Sequence, residues 1–358
     1  MLRIGMLTSG GDCQALNATM RGVVKTVITN STETVEILGF TNGYQGLIWG
    51  NYKKLGWKSL SGILTRGGTI LGTSRTPFKE LDVPLEDGTN KVERMKATYK
   101  DLELDCLVVL GGNGSTNTAN RLAQEGLNVI ALPKTIDNDT WGTDLTFGFH
   151  SALEIATKCI DDIHTTASSH GRVFVIEIMG HKVGWIPLYA GVAGGADVIL
   201  IPEIPYDLGK VCEAVNRRTE GKSGFAIVVV AEGAISQEDA ALSKKEYKAK
   251  VEARTTPSVA YELAKDIERE TGAEVRVAIP GHTQRGGAPC PYDRVFATQV
   301  GVEAGKAILA GEYGFMVADR GRQIVRVPLQ DVAGKLKTVS PNSQLVQEAK
   351  ALGISFGD

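Results

Sequence analysis

The stretch NVIALPKTIDND, residues 128–139, joins an apolar run to a polar loop. Its first half does not alternate polar and apolar side chains, which is typical of a strand buried on both faces of a parallel sheet. Its second half places Lys134 shortly before two carboxylates, Asp137 and Asp139. In α/β sheets, ligands bind beyond the carboxyl ends of the strands. The stretch therefore predicts an α/β fold with a candidate site in the loop that follows this strand.

Similar apolar runs recur along the chain, and amphipathic segments lie between them. The other expected strands are 3–7, 35–40, 106–110, 172–178, 197–201, 225–231 and 275–279, and the expected helices are 15–27, 118–126, 150–166 and 256–272. The charged stretch 243–254 is typical of a solvated helix face. Because strands and helices alternate, the sequence predicts mainly parallel sheets.

Length and composition exclude several classes of protein. The 358 residues are more than one domain with a single hydrophobic core usually contains, so we expect two α/β domains. A net charge of −2 gives no electrostatic reason for nucleic acid or an anionic membrane as the main partner. The N-terminal segment is typical of a first strand rather than a signal peptide, and no apolar run is long enough to span a bilayer. Scattered cysteines without metal-ligand spacing indicate reduced thiols in a cytoplasmic protein: Cys13, Cys106, Cys159, Cys212 and Cys290.

Two glycine-rich turns follow expected strands, TSGGD at 8–12 and GGNGS at 111–115. Each is expected to open a helix, whose free N–H groups and positive dipole end attract phosphate, and glycine lets phosphate oxygens come close. Neither turn matches the Walker phosphate loop or the dinucleotide fingerprint. A tight turn without a ligand uses the same residues, so each turn alone is a weak signal. Arg75, which follows a further glycine-rich turn, is by itself typical of a surface arginine.

Two other loops carry charged side chains. In GHTQRGG (281–287), His282 and Arg285 lie three positions apart between glycines, which suits a phosphate clamp. No second histidine or carboxylate stands at metal-ligand spacing from His282. Asp137 and Asp139 flank one position, so in an extended backbone both point the same way and can serve as a base and a metal-linked carboxylate. An aspartate-rich cap for the following segment is the structural alternative.

Taken in order, these motifs resemble the phosphofructokinase family. The resemblance rests on LTSGGD (7–12), RGGTILGTSR (66–75), GGNGS (111–115), PKTIDND (133–139), SSHGR (168–172), MG (179–180), AEG (231–233) and GHTQRGG (281–287). It implies two Rossmann-like three-layer domains with mainly parallel sheets and an active site in the cleft between them. The boundaries expected are 1–148 plus about 284–334 for a donor-binding domain, and 149–283 plus about 335–358 for a fructose 6-phosphate-binding domain.

The resemblance also implies an activity. The reaction is a Mg²⁺-dependent transfer of a phosphoryl group to the 1-hydroxyl of fructose 6-phosphate, which gives fructose 1,6-bisphosphate in glycolysis. Asp137 is then the base that takes the hydroxyl proton, while Thr135 and Asp139 position the sugar and the metal. Arg172 is expected to reach a neighbouring subunit, which implies a homo-oligomer, a tetramer or a dimer.

The residues implied by the family pattern fall into four sets. The catalytic set is Asp137, Thr135, Arg75 and Lys134; the donor-binding set is Gly11, Arg75, Thr76, Gly112, Asn113, Gly114 and Ser115; the substrate-binding set is Thr135, Ile136, Asp137, Asp139, Arg172, Met179, Gly180, His181, Glu232, Arg276, His282, Thr283, Gln284 and Arg285; and the metal-binding set is Asn113 and Asp139.

Two departures from the family pattern lie within these sets. Asn113 stands where a metal-associated aspartate is usual, so Mg²⁺ is expected to depend mainly on donor phosphates, water and Asp139. His181 stands where an arginine often follows the MG pair, which removes a permanent cation, and Lys182 is a partial substitute.

A third departure concerns the effector site of the allosteric bacterial enzymes. Arg21 and Lys25 fit that site, but His164 and Ser223 stand where cations are expected. We therefore expect weak or absent control by ADP or phosphoenolpyruvate.

Two positions bear on the phosphoryl donor. Lys134 resembles the lysine of pyrophosphate-using members, whereas Gly114 resembles the ATP-using members, because pyrophosphate enzymes commonly carry an aspartate there. The combination belongs to a mixed group with both kinds of enzyme. A lysine stem can swing aside, whereas a carboxylate beside the α-phosphate would repel it, so the sequence favours ATP over pyrophosphate. The poorly kept effector site favours pyrophosphate, whose enzymes are seldom regulated.

Two further interpretations start from the same motifs. A non-catalytic sugar-phosphate sensor would require loss of the base, and Asp137 is present. A relative of the NAD or lipid kinases would share a GGDG-like loop, but the combination of PKTIDND with GHTQRGG argues against it.

Overall fold

The computed structural model of the protein describes residues 1–220 and 224–358. Ser223, one of the expected effector positions, lies outside the described residues. The chain divides into two compact units. Unit 1 comprises Met1–Ala152 and Arg285–Lys337, and unit 2 comprises Leu153–Gln284 and Thr338–Asp358. The assignment of the donor to one unit and of the sugar to the other stays a prediction.

Apolar runs form the central strands, and every predicted strand is confirmed. The strands are β1 (Leu2–Ser9), β2 (Val35–Phe40), β3 (Tyr52–Leu55), β4 (Cys106–Gly111), β5 (Val129–Pro133), β6 (Val173–Ile178), β7 (Val198–Leu200), β8 (Ala226–Ala231), β9 (Val275–Ala278), β10 (Phe315–Arg320) and β11 (Gln323–Pro328). The sequence missed β3, β10 and β11. In β3 three of the four residues are exposed, so that strand lacks the apolar run on which the prediction depended.

Helices connect the strands, and the four predicted helices are confirmed. The helices are α1 (Leu16–Asn30), α2 (Tyr44–Trp49), α3 (Lys91–Asp101), α4 (Asn113–Gln124), α5 (Phe149–His170), α6 (Trp185–Ala193), α7 (Leu208–Thr219), α8 (Gln237–Ala240), α9 (Lys244–Glu252), α10 (Val259–Thr271), α11 (Pro291–Leu309), α12 (Leu329–Val332) and α13 (Gln344–Ala351). The charged stretch forms α9, which buries none of its residues. Among the helices that the structure describes, none is both long and apolar enough to cross a membrane.

Unit 1 is built on a mainly parallel sheet with the order β11-β10-β5-β4-β1-β2-β3. The edge strands β3 and β11 run antiparallel to their neighbours, and the other pairs are parallel. Leu7 and Val109 belong to one core cluster, while the neighbouring side chains Met6 and Val108 point to the other face and are also fully buried. Both faces of the sheet are therefore covered, as the unbroken apolar runs predicted.

Helices α1 and α11 of unit 1 pack closely through glycines. A Cβ atom on Gly301 would lie 2.5 Å from the carbonyl oxygen of Thr19, and one on Gly22 would lie 3.0 Å from that of Thr298. Only glycine permits this approach of the two backbones. The sequence did not predict α11, because its apolar residues do not follow one clear stripe.

Unit 2 is built on a smaller parallel sheet with the order β7-β8-β6-β9. The end of the chain extends it, since the N–H of Ile199 donates to the carbonyl of Ser355 at 2.9 Å and the N–H of Ser355 donates to that of Asp197 at 3.0 Å. Phe356 is 1% exposed. The last residues, which carry no recognised motif, thus cover the β7 edge of this sheet.

Candidate active site

The first glycine-rich turn follows β1 and is fastened to the loop that carries Arg75. Gly10 has φ +84°, a left-handed conformation that glycine adopts without strain. Its N–H donates to the carbonyl of Ser74 at 3.0 Å, and its carbonyl accepts from the hydroxyl of Thr73 at 2.7 Å. Helix α1 begins only at Leu16, so the prediction that this turn opens a helix directly is wrong. The Arg75 side chain is exposed beside the turn.

The second glycine-rich turn follows β4 and does open a helix. Gly112 is the N-cap of α4, and Gly114 lies in its first turn. A Cβ atom on Gly111 would lie 2.2 Å from the Cβ of Ser115, so this position excludes any side chain. A Cβ atom on Gly114 would meet nothing within 4 Å. There is therefore open space beside the first turn of α4, and the free N–H groups of a helix N-terminus suit an anion.

The loop after β5 lies against the second glycine-rich turn. The N–H of Lys134 donates to the carbonyl of Gly111 at 3.1 Å, and the side-chain amide of Asn113 donates to the carbonyl of Asp139 at 3.2 Å. The N–H of Asp137 donates to the hydroxyl of Thr135 at 3.1 Å. The loop and the turn are thus one bonded unit at the carboxyl ends of β4 and β5.

The backbone of this loop is not extended. Asn138 has φ +52°, in the left-handed region that asparagine tolerates better than most residues. The argument from an extended backbone, by which Asp137 and Asp139 point the same way, therefore does not apply. Their relative direction follows from the turn at Asn138 rather than from strand alternation.

Asp139 has the properties of a cation ligand. Its Oδ1 atom is buried and accepts no hydrogen bond from the protein. Burial, and then the neighbouring charge of Asp137, raise the pKa of the Asp139 carboxyl to about 6. A cation at this oxygen would favour the charged form. The residues present therefore fit a divalent ion, with Asp139 and the amide oxygen of Asn113 as its protein ligands.

Other ligands for that ion would have to come from outside the protein. Among the residues that the structure describes, no group of three or more histidine, cysteine, aspartate or glutamate side chains is placed to hold a metal. This arrangement suits Mg²⁺, which commonly keeps waters and phosphate oxygens and takes one or two protein ligands.

Lys134 is tied to the first glycine-rich turn. Its side chain is 3% exposed, and its ammonium group donates to the carbonyl of Gly11. Burial lowers the pKa of Lys134, and the charge of Arg285 adds to that decrease. The lysine therefore does hold the loop, which the sequence did not predict. Its amine lies beside the first glycine-rich turn, 3.4 Å from the position of a Cβ atom on Gly10.

Arg285 lies against the same turn within unit 1. Its guanidinium donates to the carbonyl of Asp12 at 2.9 Å. A Cβ atom on Gly11 would lie 2.9 Å from the Nη1 atom of Arg285, so glycine makes room for this arginine. From the family resemblance we predicted Arg285 beside the sugar phosphate, and the structure places it beside Gly11 and Asp12 of the first glycine-rich turn.

The remaining unit 1 residues of the predicted sets are partly or fully buried. Ile136 is fully buried, so only its backbone can face a ligand. Ser115 is 9% exposed in the first turn of α4. The hydroxyl of Thr76 is buried and has no hydrogen-bond partner within the protein, which makes it available to a ligand atom.

In unit 2, loops that follow three neighbouring parallel strands come together. The N–H of Met179, after β6, donates to the side chain of Gln284, which follows β9, at 3.3 Å. The N–H of Gly233, after β8, donates to the carbonyl of Gly180 at 3.2 Å, and this places Glu232 beside them. These residues form a second group at the carboxyl edge of a sheet, where ligands of α/β folds bind.

Several predicted site residues of unit 2 are more exposed. His181, His282 and Thr283 have exposed side chains. Glu274 pairs with Arg172 at 2.9 Å and also with Arg276. Both arginines therefore form an ion pair with a carboxylate of the same chain. Arg276 lies on β9, and Arg172 lies directly before β6.

Two residues that sequence reasoning did not assign support the loop after β5. Asn138 stands between the two aspartates, and Lys337 approaches it from a distant part of the chain at 3.0 Å. Burial lowers the pKa of Lys337 to about 8. Asparagine is a signal for a left-handed turn, whereas nothing in the sequence near Lys337 indicates this contact.

Comparison with known proteins assigns the chain to a family. The sequence profile named Phosphofructokinase matches residues 3–308. The ATP-dependent 6-phosphofructokinase of Spirochaeta thermophila is 54% identical over 99% of this chain and 97% of that protein. The pyrophosphate–fructose 6-phosphate 1-phosphotransferase of Amycolatopsis methanolica is 46% identical over 95% of this chain and 97% of that protein. The crystal structure of Pichia pastoris phosphofructokinase in the T-state matches 92% of this chain with a TM-score of 0.78 and 33% identity, and this chain spans 35% of that longer one. As its motifs predicted, this chain belongs to the phosphofructokinase family.

Proposed function

We propose that this protein is a 6-phosphofructokinase that transfers a phosphoryl group from ATP to the 1-hydroxyl of fructose 6-phosphate. The observation that carries the proposal is the bonded unit formed by the loop after β5 and the second glycine-rich turn. That unit contains both Asp137, a carboxylate suited to act as base, and the first turn of α4, whose N–H groups suit phosphate. The name of the Spirochaeta thermophila relative supports the same activity.

Phosphoryl transfer depends mainly on positioning the two reactants and on compensating the negative charge of the phosphates. Asp137 accepts the proton of the 1-hydroxyl, and Thr135, whose hydroxyl accepts the N–H of Asp137, fixes the turn that presents this carboxylate. The N–H groups of α4 and the guanidinium of Arg75 stabilise the negative charge of the transferring group. When Mg²⁺ is bound at Asp139 and Asn113, it supplies further charge compensation on the donor phosphates.

The sugar phosphate is assigned to the carboxyl edge of the unit 2 sheet. Met179, Gly180 and Glu232 line the sugar, and Gln284 fixes the loop that carries the side chains for the 6-phosphate. The loop contributes His282, Thr283 and Arg285, and β9 contributes Arg276. His181 is assigned to the vicinity of the transferring group, and Arg172 of a neighbouring subunit completes the set. A cytoplasmic homo-oligomer, a tetramer or a dimer, is part of this proposal.

Pyrophosphate is the second candidate donor, and Lys134 is the observation that favours it. Its buried ammonium group lies at the first glycine-rich turn, where it can compensate the charge of a compact donor. The Amycolatopsis methanolica relative is named for pyrophosphate. We favour ATP because the space beside Gly114 is open and carries no blocking carboxylate.

One assay tests both the reaction and the donor. Purified protein is incubated with fructose 6-phosphate and Mg²⁺, with ATP or pyrophosphate in parallel, and fructose 1,6-bisphosphate is measured. We expect product with ATP. Product with pyrophosphate alone would overturn the donor assignment, and no product with either donor would overturn the proposed function.

Two substitutions separate the donors further. Gly114→Asp should lower kcat/KM for ATP by about 100-fold, because a carboxylate near the α-phosphate repels it in a partly dry site. There is room for that side chain, so the fold should be retained. Lys134→Gly should impair pyrophosphate use far more than ATP use. Equal losses with both donors would show that Lys134 acts only through its bond to Gly11.

A further inference from the structure

The loop after β5 contains a turn at Asn138 whose hydrogen bonds reach residues outside the stretch 133–139. Asn138 is 4% exposed and left-handed, and its side chain supplies the bonds that fix the turn. Its Oδ1 atom accepts the N–H of Thr146 at 3.1 Å, and its amide donates to the carbonyl of Asp144 at 3.2 Å. The hydroxyl of Thr146 donates to the carbonyl of Thr135 at 2.8 Å. A change at Asn138 would therefore move the residues on both sides of it.

Lys337, the last residue of unit 1 in the sequence, adds further hydrogen bonds to this turn. Its ammonium group donates to Oδ1 of Asn138 at 3.0 Å, to the carbonyl of Thr143 at 2.9 Å and to that of Asp144 at 2.8 Å. These acceptors converge on one nitrogen, which matches the three donors of a lysine ammonium group. A neutral side chain of similar length would remove these three hydrogen bonds. Oδ1 of Asn138 and the carbonyl of Asp144 would keep their bonds to Thr146 and Asn138, but the carbonyl of Thr143, a buried residue, would lose its lysine partner, which is costly.

The backbone around Lys337 is joined to the same loop. The N–H of Lys337 donates to the carbonyl of Asp139 at 2.9 Å. Leu336 and Thr140 form an antiparallel bridge. Residues 336–337 therefore act as a short strand along the outgoing side of the loop, and the ammonium group secures the turn at Asn138.

We propose that Lys337 is a positioning residue for phosphoryl transfer, which fixes the backbone that presents Asp137 and Asp139. The inference rests on the proposed function. Lys337 is not assigned to substrate or donor, and it acts through Asn138 and the carbonyls of the loop. Its removal should leave the sugar-binding loops of unit 2 in place and should displace the base.

The central variant is Lys337→Met, which keeps the length of the side chain and removes the charge and the donors. Lys335→Met is the matched control, because Lys335 is an exposed lysine two positions earlier. A displacement of about 1 Å at the base costs up to about 100-fold in rate, so we expect Lys337→Met to lower kcat by about 10- to 100-fold. KM for fructose 6-phosphate should change by less than about twofold, because the binding contacts are retained. Lys335→Met should resemble the wild type.

Conservative and double variants separate positioning from a general loss of structure. Lys337→Arg keeps the charge but cannot place one nitrogen against three acceptors, so its kcat should lie between those of the wild type and Lys337→Met. Asn138→Ala alone should also lower kcat. If Lys337 acts through Asn138, the double variant should lose little more than the more impaired single variant. Independent, multiplying losses would overturn that route of action.

Hydrogen exchange gives a readout that does not depend on activity. Lys337→Met should raise amide exchange in residues 135–140 at least tenfold over the wild type, and Lys335→Met should not. If Lys337→Met does not fold, the same measurement is made on Lys337→Arg. Unchanged exchange in this loop would overturn the inference even for a protein that shows no kinase activity. A kcat within twofold of the wild type in folded Lys337→Met would overturn it for an active enzyme.

Discussion

The loop after β5 and the loop after β9 both carry proposed site residues, but the protein holds them in different ways. In the first loop Lys134 is 3% exposed, Thr135 9% and Asn138 4%. In the second loop His282 and Thr283 are exposed, and Gln284 is the buried member. The first loop is fixed by bonds from several parts of unit 1, whereas the second extends polar side chains from a short 3₁₀ turn, Gly281–Arg285.

This difference matches the proposed division of labour. A base must stand in one place relative to a reacting hydroxyl, and small displacements are costly. The 6-phosphate of the sugar needs only to lie within reach of long or flexible hydrogen-bond donors. These donors can therefore lie at the protein surface. The comparison therefore predicts that substitutions in the first loop act on kcat and those in the second act on KM.

Fixing the first loop has an electrostatic cost. Burial raises the pKa of Asp139 and lowers the pKa of both Lys134 and Lys337. Each of these shifts opposes the charged form that phosphoryl transfer requires. The loop is therefore expected to gain stability when the charge of Asp139, whose Oδ1 atom has no hydrogen-bond partner in the protein, is neutralised by substitution or by a bound ion.

The largest expected effect is that of Asp137→Asn. The amide cannot accept the proton of the sugar hydroxyl, so kcat should fall by at least about 1,000-fold. The dissociation constant for fructose 6-phosphate, measured by calorimetry without donor, should change by less than about twofold. Asp331→Asn, at an exposed aspartate of α12, serves as the matched control and should leave kcat unchanged. A kcat within tenfold of the wild type for Asp137→Asn would place the base elsewhere.

A smaller effect concerns stability and its dependence on pH. The pKa of Asp139 is about 6 in the folded protein against 3.8 for an ordinary carboxyl. As pH rises from about 4 to about 6, the unfolded chain loses this proton while the folded chain keeps it, so the free energy of unfolding falls in this window. The two-unit shift corresponds to about 3 kcal/mol, so Asp139→Asn should be more stable than the wild type by up to that amount at pH 7.

Denaturant unfolding at several pH values measures this difference. The advantage of Asp139→Asn should shrink as the pH falls from about 6 to about 4, and it should vanish below the unfolded pKa of 3.8, where the aspartate is protonated in both states. Mg²⁺ should narrow the gap at pH 7, because a bound cation favours the ionised carboxylate of the wild type. Asp331→Asn should show no such pattern. An Asp139→Asn variant that is less stable at pH 7 would show that its buried oxygen has a partner in the native protein.

The sequence predicted the strands that form the middle of each sheet because the signal there is local. A run such as 106–110 is apolar throughout, and that pattern suffices to bury a strand on both faces. Strand β3 and helix α11 do not carry such a signal. The first exposes most of its residues, and the second depends on glycines whose value is evident only when α1 lies against them.

The candidate site was predictable in its motifs but not in its internal bonds. Motif order identified the loops that hold Asp137 and the glycine-rich turns. The tie between Lys134 and Gly11 spans 123 positions and that between Lys337 and Asn138 spans 199. Contacts between residues so far apart in the chain leave no periodic or spacing signal. The side chains that fix the site are therefore evident only from the three-dimensional structure.

The smallest expected effect is that of His282→Ala, at an exposed residue of the loop after β9. Loss of one donor to the 6-phosphate should raise KM for fructose 6-phosphate about tenfold, as expected for one hydrogen bond to a charged group, and should leave kcat within about twofold. His170→Ala, at an exposed histidine at the end of α5, is the matched control and should change neither constant.

Initial-rate measurements at saturating ATP give both constants for His282→Ala. A fall in kcat as large as the rise in KM would contradict the distinction between the two loops. It would mean that the loop after β9 also fixes the reacting hydroxyl, and that exposure in the free protein does not identify a side chain used only for binding.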